Sequence, residues 1–177
     1  MPIRRTSGGE QTTSEGDVGL AEVTSILWRE RETLELLLFK LEEEQLVLAA
    51  GRSRWLGHAT REVEIVLDRI RQTELLRAAE VEAVATELGL PPNPSLTKLA
   101  DSASSPWSDL LREHRKAFLA LTAEITALAE ANRDLLTSGQ RSAREAMLTV
   151  TGSLETYGRN GGTTAAAPSV RLLDEAM

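Results

Sequence analysis

Five leucines, Leu20, Leu27, Leu34, Leu41 and Leu48, recur at intervals of seven residues. That spacing keeps them on one side of a helix, and Val23, Ile26, Leu37 and Leu38 fill adjacent positions on the same side. The stretch 18–50 therefore reads as one long amphipathic helix, closed by Gly51, a residue that accepts the left-handed conformation common after a helix end.

A second periodic stretch carries Val63, Val66, Ile70, Thr73, Leu76, Val84 and Leu88, and Gly89 with Pro91 and Pro92 stops it. It predicts a helix over 53–88. The short connection makes the first two helices an antiparallel hairpin. Residues 89–105, with three prolines and several serines, read as a linker holding one helical turn from Ser95 to Ala100. Ser105 and Pro106 then supply an N-cap and a first-turn proline, and Asp109 places negative charge where the helix dipole favours it. A third helix follows over 106–156, with Leu111, Phe118 and Ile125 in one row and Leu121, Leu128 and Leu135 in the next.

The expected fold class is all-α: an elongated antiparallel helical hairpin plus a third long helix, a coiled-coil-like three-helix bundle over 18–157. At roughly 1.5 to 3 kcal/mol for each large apolar side chain fully buried, three such seams make an adequate core. Residues 1–17, polar and charged, lack the apolar surface to offset their ordering entropy and read as a disordered tail. Residues 158–177 open with glycines and read as a mobile tail, although Val170, Leu172 and Leu173 are available to dock.

Several function classes find no support in the composition. The formal net charge of -7 lacks the basic footprint of nucleic-acid binding, so no nucleic-acid partner is expected. Charges interrupt every apolar run well short of the ~20 residues a membrane span needs, and no secretory h-region follows Arg5. There is no cysteine, hence no disulfide, thiolate metal site or cysteine nucleophile.

Catalytic constellations are equally absent from the pattern. His58 and His114 stand on different helices without companion ligands, so no metal site is expected. His114 falls on the seam at the edge of the core, and His58 reads as a surface residue in a turn. There is no nucleophile elbow and no phosphate-binding glycine loop, so neither an enzyme nor a cofactor is expected. Glu42, Glu43 and Glu44 read as a solvated helix face.

Two features point to binding. Asn132 sits seven residues after Ile125, where the row calls for an apolar group. It is either a register-fixing amide inside the bundle or a residue at the bundle's end that shapes a surface for a partner. Further on, Ala143, Met147, Val150, Leu154 and Tyr157 continue the apolar pattern on a segment weakened by Thr149, Val150, Thr151 and Gly152. A weak amphipathic helix gains most by folding onto another chain's apolar face, and methionine adapts to different partners. The alternative is that the third helix simply continues and packs on the first two.

The wording of the sequence adds a resemblance. Leu27-Trp28-Arg29-Glu30-Arg31-Glu32, then Leu36 through Glu44, then Ala59-Thr60-Arg61-Glu62-Val63-Glu64 resemble the FlgN family of flagellar export chaperones as it occurs in high-GC Gram-positive bacteria. Glu113 through Leu119, Asn132-Arg133-Asp134-Leu135-Leu136 and Thr156-Tyr157-Gly158-Arg159-Asn160-Gly161 follow in the family's order. The resemblance covers roughly residues 20–162; where the family often has a second asparagine, this chain has Ala129.

That resemblance implies a small cytoplasmic, nucleotide-independent chaperone for hook-associated junction proteins of the FlgK and FlgL type, binding their C-terminal helical segments and delivering them to the export gate. It implies that the C-terminal part holds the substrate, making Asn132, Leu135, Leu136, Ala143, Met147, Val150 and Leu154 candidate substrate-binding residues. Tyr157, the only tyrosine, becomes the candidate for docking the export-gate protein FlhA. The competing reading of the residues alone is a structural coiled-coil oligomer or scaffold built on the heptad leucines.

Overall fold

The computed structural model describes the backbone of residues 9–159 and the side chains of residues 16–150. Those residues form four helices: α1 (Gly9–Ala49), α2 (Ser53–Glu87), α3 (Leu96–Ser102) and α4 (Trp107–Arg159), with no strand among them. The all-α class is as expected. The chain divides into two compact units, Met1–Leu136 and Thr137–Met177, and the division falls inside the stretch 18–157 that the sequence presents as one helical domain.

The helix ends follow from local chemistry. After α1, Gly51 takes φ +63°; its N–H donates to Leu48 O, and Arg52 N–H to Val47 O, both at 3.0 Å. After α2, Gly89 takes φ +65°, and Leu90 N–H donates to Ala85 O at 2.8 Å. Both are Schellman closures, in which a residue tolerant of positive φ lets two final carbonyls find donors. The short α3 is capped by Ser95, whose Oγ accepts from Lys98 N–H.

Two boundaries differ from expectation. Helix α1 is already formed at Gly9, so helix occupies 9–17 of the stretch read as a disordered tail, while 1–8 lie outside the described residues. Close contacts that a composition argument does not see begin at residues 17–19. A Cβ added at Gly19 would lie 2.7 Å from Val84 Cγ2, and Asp17 accepts a hydrogen bond from Trp107 Nε1 at 3.0 Å. Helix α4 starts one position later than expected: Pro106 O accepts from Leu110 N–H, which puts Pro106 rather than Ser105 at the cap position.

Within residues 1–136 the core forms two clusters. The first joins Leu20, Val23 and Leu27 of α1 to Val81 and Val84 of α2, with Leu99 and Ala100 of α3 and Leu111 of α4. The second joins Leu37 and Leu41 of α1 to Val63, Val66 and Ile70 of α2, with Ile125, Leu128 and Ala129 of α4 packed against it. Early positions of α1 thus meet late positions of α2, as an antiparallel hairpin requires. The linker's helical turn contributes to the core, since Leu99 is fully buried.

The face of α2 departs from its expected path at one turn. Leu76 is 57% exposed, and the inward position is taken by Arg77, whose Nη1 donates to Oε1 and Oε2 of Glu30 at 2.8 and 2.9 Å. A run of 63, 66, 70, 73, 77, 81 and 84 keeps a helical period as well as one through 76 does. Apolar counting selects the leucine; the buried carboxylate on α1 selects the arginine.

Candidate functional site

The end of the packed region is marked by Asn132. Its side chain is only 5% exposed, and Nδ2 donates to Leu41 O at 2.9 Å and Glu44 Oε2 at 3.1 Å. Glu44 also accepts from Thr60 Oγ1 at 2.7 Å, so α1, α2 and α4 meet at one polar knot. This geometry fits the register-fixing reading, and the Asn132 amide is turned inward rather than toward a partner. Glu44 is correspondingly no part of a purely solvated face. Asn132 Oδ1 is buried without a hydrogen-bond partner among the described residues.

Beyond Asn132 every described residue is exposed. Leu135 and Leu136, at the close of the first unit, are 39% and 40% exposed, so the row expected to continue the seam through Leu135 stops before it. In the second unit Ala143, Met147 and Val150 stand at i, i+4 and i+7 and share one helix face. Met147 is 73% exposed and Val150 61%. The continuation of α4 is helical as expected, but those side chains are not sealed in an interior. Leu154 and Tyr157 belong to α4 by backbone, and their side chains lie outside the described residues.

Local chemistry explains why this stretch holds helix without gaining much from it. Thr149 Oγ1 donates back to Glu145 O at 3.0 Å, satisfying its hydroxyl locally at the cost of slight helix distortion. Gly139 adds backbone freedom, with nothing near where its Cβ would be. A depression of about 710 Å³ is lined by Thr137, Gln140, Arg141, Ala143, Arg144 and Met147.

Among the described residues, the titratable groups with altered behaviour lie in the first unit. Burial pushes the Glu30 carboxyl above its ordinary value against the lowering pull of Arg77, with Glu74 adding to the rise. His114 is 2% exposed, edge-on to Trp28 with ring centroids 4.9 Å apart and stacked on Phe118 at 6.1 Å. Neither of its ring nitrogens has a hydrogen-bond partner among the described residues. Burial pushes its pKa down; the charge of Arg31 adds to that and Glu113 opposes it. This is a core histidine, deeper than the edge position expected. His58 is a surface residue on α2, not in a turn, paired with Glu62 at 3.1 Å.

Among the described residues no three His, Asp or Glu side chains converge where a metal ion could sit, and no helix is long and apolar enough to cross a membrane. A groove of about 540 Å³ in the first unit runs past the Glu30–Arg77 pair, with Leu34, Ile70, Phe118 and Leu119 on its walls. Sequence reading missed Glu30 and Arg77. The available signal was a charged residue at each of two facing seam positions.

The first unit offers a packed helical core, and the described part of the second an exposed apolar helix face. Neither a curated protein nor a solved structure matches the chain. The sequence does match the family model described as FlgN protein over residues 19–165, a span that takes in both core clusters and the exposed face of α4. The chain belongs to the FlgN family of flagellar export chaperones.

Proposed function

We propose that this chain is a cytoplasmic chaperone that binds the C-terminal helical segments of hook-associated junction proteins of the FlgK and FlgL type, prevents their premature assembly and delivers them to the export gate. The observation that carries this reading is the exposure of Met147 and Val150 on a shared helix face next to Ala143. A helix-in-groove or helix-on-helix partner would cover such anchors at i, i+4 and i+7. Leu135, Leu136 and Leu154 extend the candidate binding set along α4, and Asn132 acts through its hold on α1. Tyr157 is proposed to dock the export-gate protein FlhA. The chaperone requires no cofactor and no catalytic group.

The alternative of a coiled-coil oligomer built on the heptad leucines is weakened by where those leucines go. Leu20, Leu27 and Leu41 are buried against α2, α3 and α4 of the same chain and are not available to another copy.

Titration calorimetry with the C-terminal segment of a junction protein tests the proposal. Met147→Asp and Val150→Asp should each weaken binding at least about tenfold, since a charge placed in an apolar contact is strongly disfavoured, while unfolding of the packed region is unchanged. Binding indifferent to both substitutions would refute the assignment. Tyr157→Ala should lose FlhA binding and keep the junction protein; equal loss of both would merge the two roles.

A further inference from the structure

The side of α2 turned away from the core carries exposed leucines, and the charges bordering them complement themselves. Leu75 is 73% exposed and Leu76 57%. Ile65, Gln72, Ala79 and Ala83, all exposed, extend this face through 65, 72, 76, 79 and 83 at helical spacing. Here Arg77 takes the inward position, which leaves the two leucines side by side in solvent. Arg69 and Glu80, eleven residues and therefore about three turns apart, lie along one border of the face. Arg71 and Glu82, at the same spacing, lie along the other. The midpoint of these four charges falls between Leu75 and Leu76.

Each border is thus positive toward the start of α2 and negative toward its end. A second copy laid antiparallel, about a two-fold axis at Leu75 and Leu76, brings each border against its own counterpart with the ends exchanged. Arg69 then meets Glu80 of the second copy and Arg71 meets its Glu82, and each pair occurs twice. In a parallel arrangement opposite borders meet without that exchange, which sets Arg69 beside Arg71 and Glu80 beside Glu82. The charges therefore select the antiparallel pair and act against the parallel one. Neither Arg69 nor Glu80 joins an ion pair with any described residue. Arg71 is 2.6 Å from Asp68, and Glu82 Oε2 accepts from Asn93 N–H at 3.0 Å. Both contacts are at the surface, where such pairs contribute little, and neither exhausts the donors of the arginine or the oxygens of the glutamate.

We propose that a second copy of this chain covers this face, forming a reversible antiparallel α2–α2 dimer centred on Leu75 and Leu76 and bordered by the four arginine–glutamate pairs. The α1 leucines Leu20, Leu27 and Leu41, already buried, take no part in it. A single helix pair lies at or below the low end of the roughly 1,200–2,000 Å² that stable interfaces bury, so the dimer forms in a concentration-dependent way. It uses no residue of the proposed substrate or export-gate sites and stands independently of them.

Sedimentation velocity of the full chain should show monomer and dimer exchanging with concentration, and Leu76→Asp should abolish the dimer. Arg69→Glu with Arg71→Glu, and separately Glu80→Arg with Glu82→Arg, should each weaken it at least about tenfold. Mixing these two variants should restore it, since every border pair is then again of opposite sign. Circular dichroism should find each variant as helical as the natural chain. The chain has no cysteine, so single introduced thiols report the register. Leu76→Cys, beside the two-fold axis, should give a disulfide-linked dimer on mild oxidation. Ala83→Cys should not, because the antiparallel register sets its two copies about 22 Å apart along the helices, beyond the reach of a disulfide. A natural chain monomeric at every concentration, no recovery on mixing, or Ala83→Cys linking as readily as Leu76→Cys would overturn the proposal. So would a dimer that persists in Leu76→Asp and is lost in Met147→Asp, which would move the contact to α4.

Discussion

Two stretches of α4 carry apolar residues at the same helical period and meet different surroundings. From Leu111 to Asn132 the inward positions are buried or half-buried, against residues of α1 and α2. From 137 to 150 every position is exposed, including Met147 and Val150. Periodicity tells which face of a helix is apolar; it does not tell what covers that face. The first stretch is covered because α1 and α2 run alongside it. Asn132 bonds to Leu41 and Glu44, and α1 ends shortly afterwards at Ala49, so the hairpin has little length left to offer.

Substitutions should separate these stretches sharply. The largest effect is expected at Leu27→Ala, a fully buried position in the first cluster. Chemical denaturation should show a loss of about 2–5 kcal/mol, the usual range for a leucine cavity. A loss below about 1 kcal/mol would mean that this cluster is looser than its packing implies.

Next comes Arg77→Leu, which leaves the 4% exposed Glu30 without its cation. Stranding a buried carboxylate costs about 3–5 kcal/mol when both partners are fully enclosed; since the Arg77 side chain is 31% exposed, about 2–3 kcal/mol is expected here. The double substitution Glu30→Leu with Arg77→Leu should cost less than Arg77→Leu alone, because no charge is left unpaired. Equal costs would show that Arg77 acts by packing and not by pairing.

A smaller, pH-dependent difference is expected at His114. Its folded-state pKa lies below the ordinary 6.5, so under acid the unfolded chain takes up a proton that the folded chain resists. The natural chain should lose stability relative to His114→Leu as pH falls below 6.5, and the two should run parallel above it. Arg31 on α1 and Glu113 on α4 are the charged groups acting on this ring, and the first outweighs the second. Parallel curves across the whole range would show that the imidazole is not desolvated in solution. At the other end of the scale, Val150→Ala should shift stability by no more than about 0.5 kcal/mol, the ordinary range for an exposed site.

Much of this contrast was legible in the sequence. The heptad leucines, Gly51, and Gly89 with its prolines located α1, α2 and their ends because each acts locally. The strip from Met147 onward was readable as an apolar face on a weak helix, because Thr149 and Gly152 carry that weakness in their own chemistry. The register of α2 at 76 and 77 was not, since the choice depends on Glu30, which is remote in sequence and becomes a neighbour only when the hairpin forms. Asn132 was recognised as an amide out of place, yet its partners, a backbone carbonyl and Glu44, belong to another helix and leave no mark in the local pattern. Asp17 and Gly19 were opaque for a similar reason: they gain their meaning from Trp107 and Val84.

The most direct test is amide hydrogen exchange across residues 137–150, measured on the full chain alone and with the C-terminal segment of a junction protein. The account predicts fast exchange in the chain alone, well above that of the α1 core around Leu27, and strong slowing when the segment binds. Protection equal to the α1 core before any partner is added, or no slowing once it is bound, would contradict it.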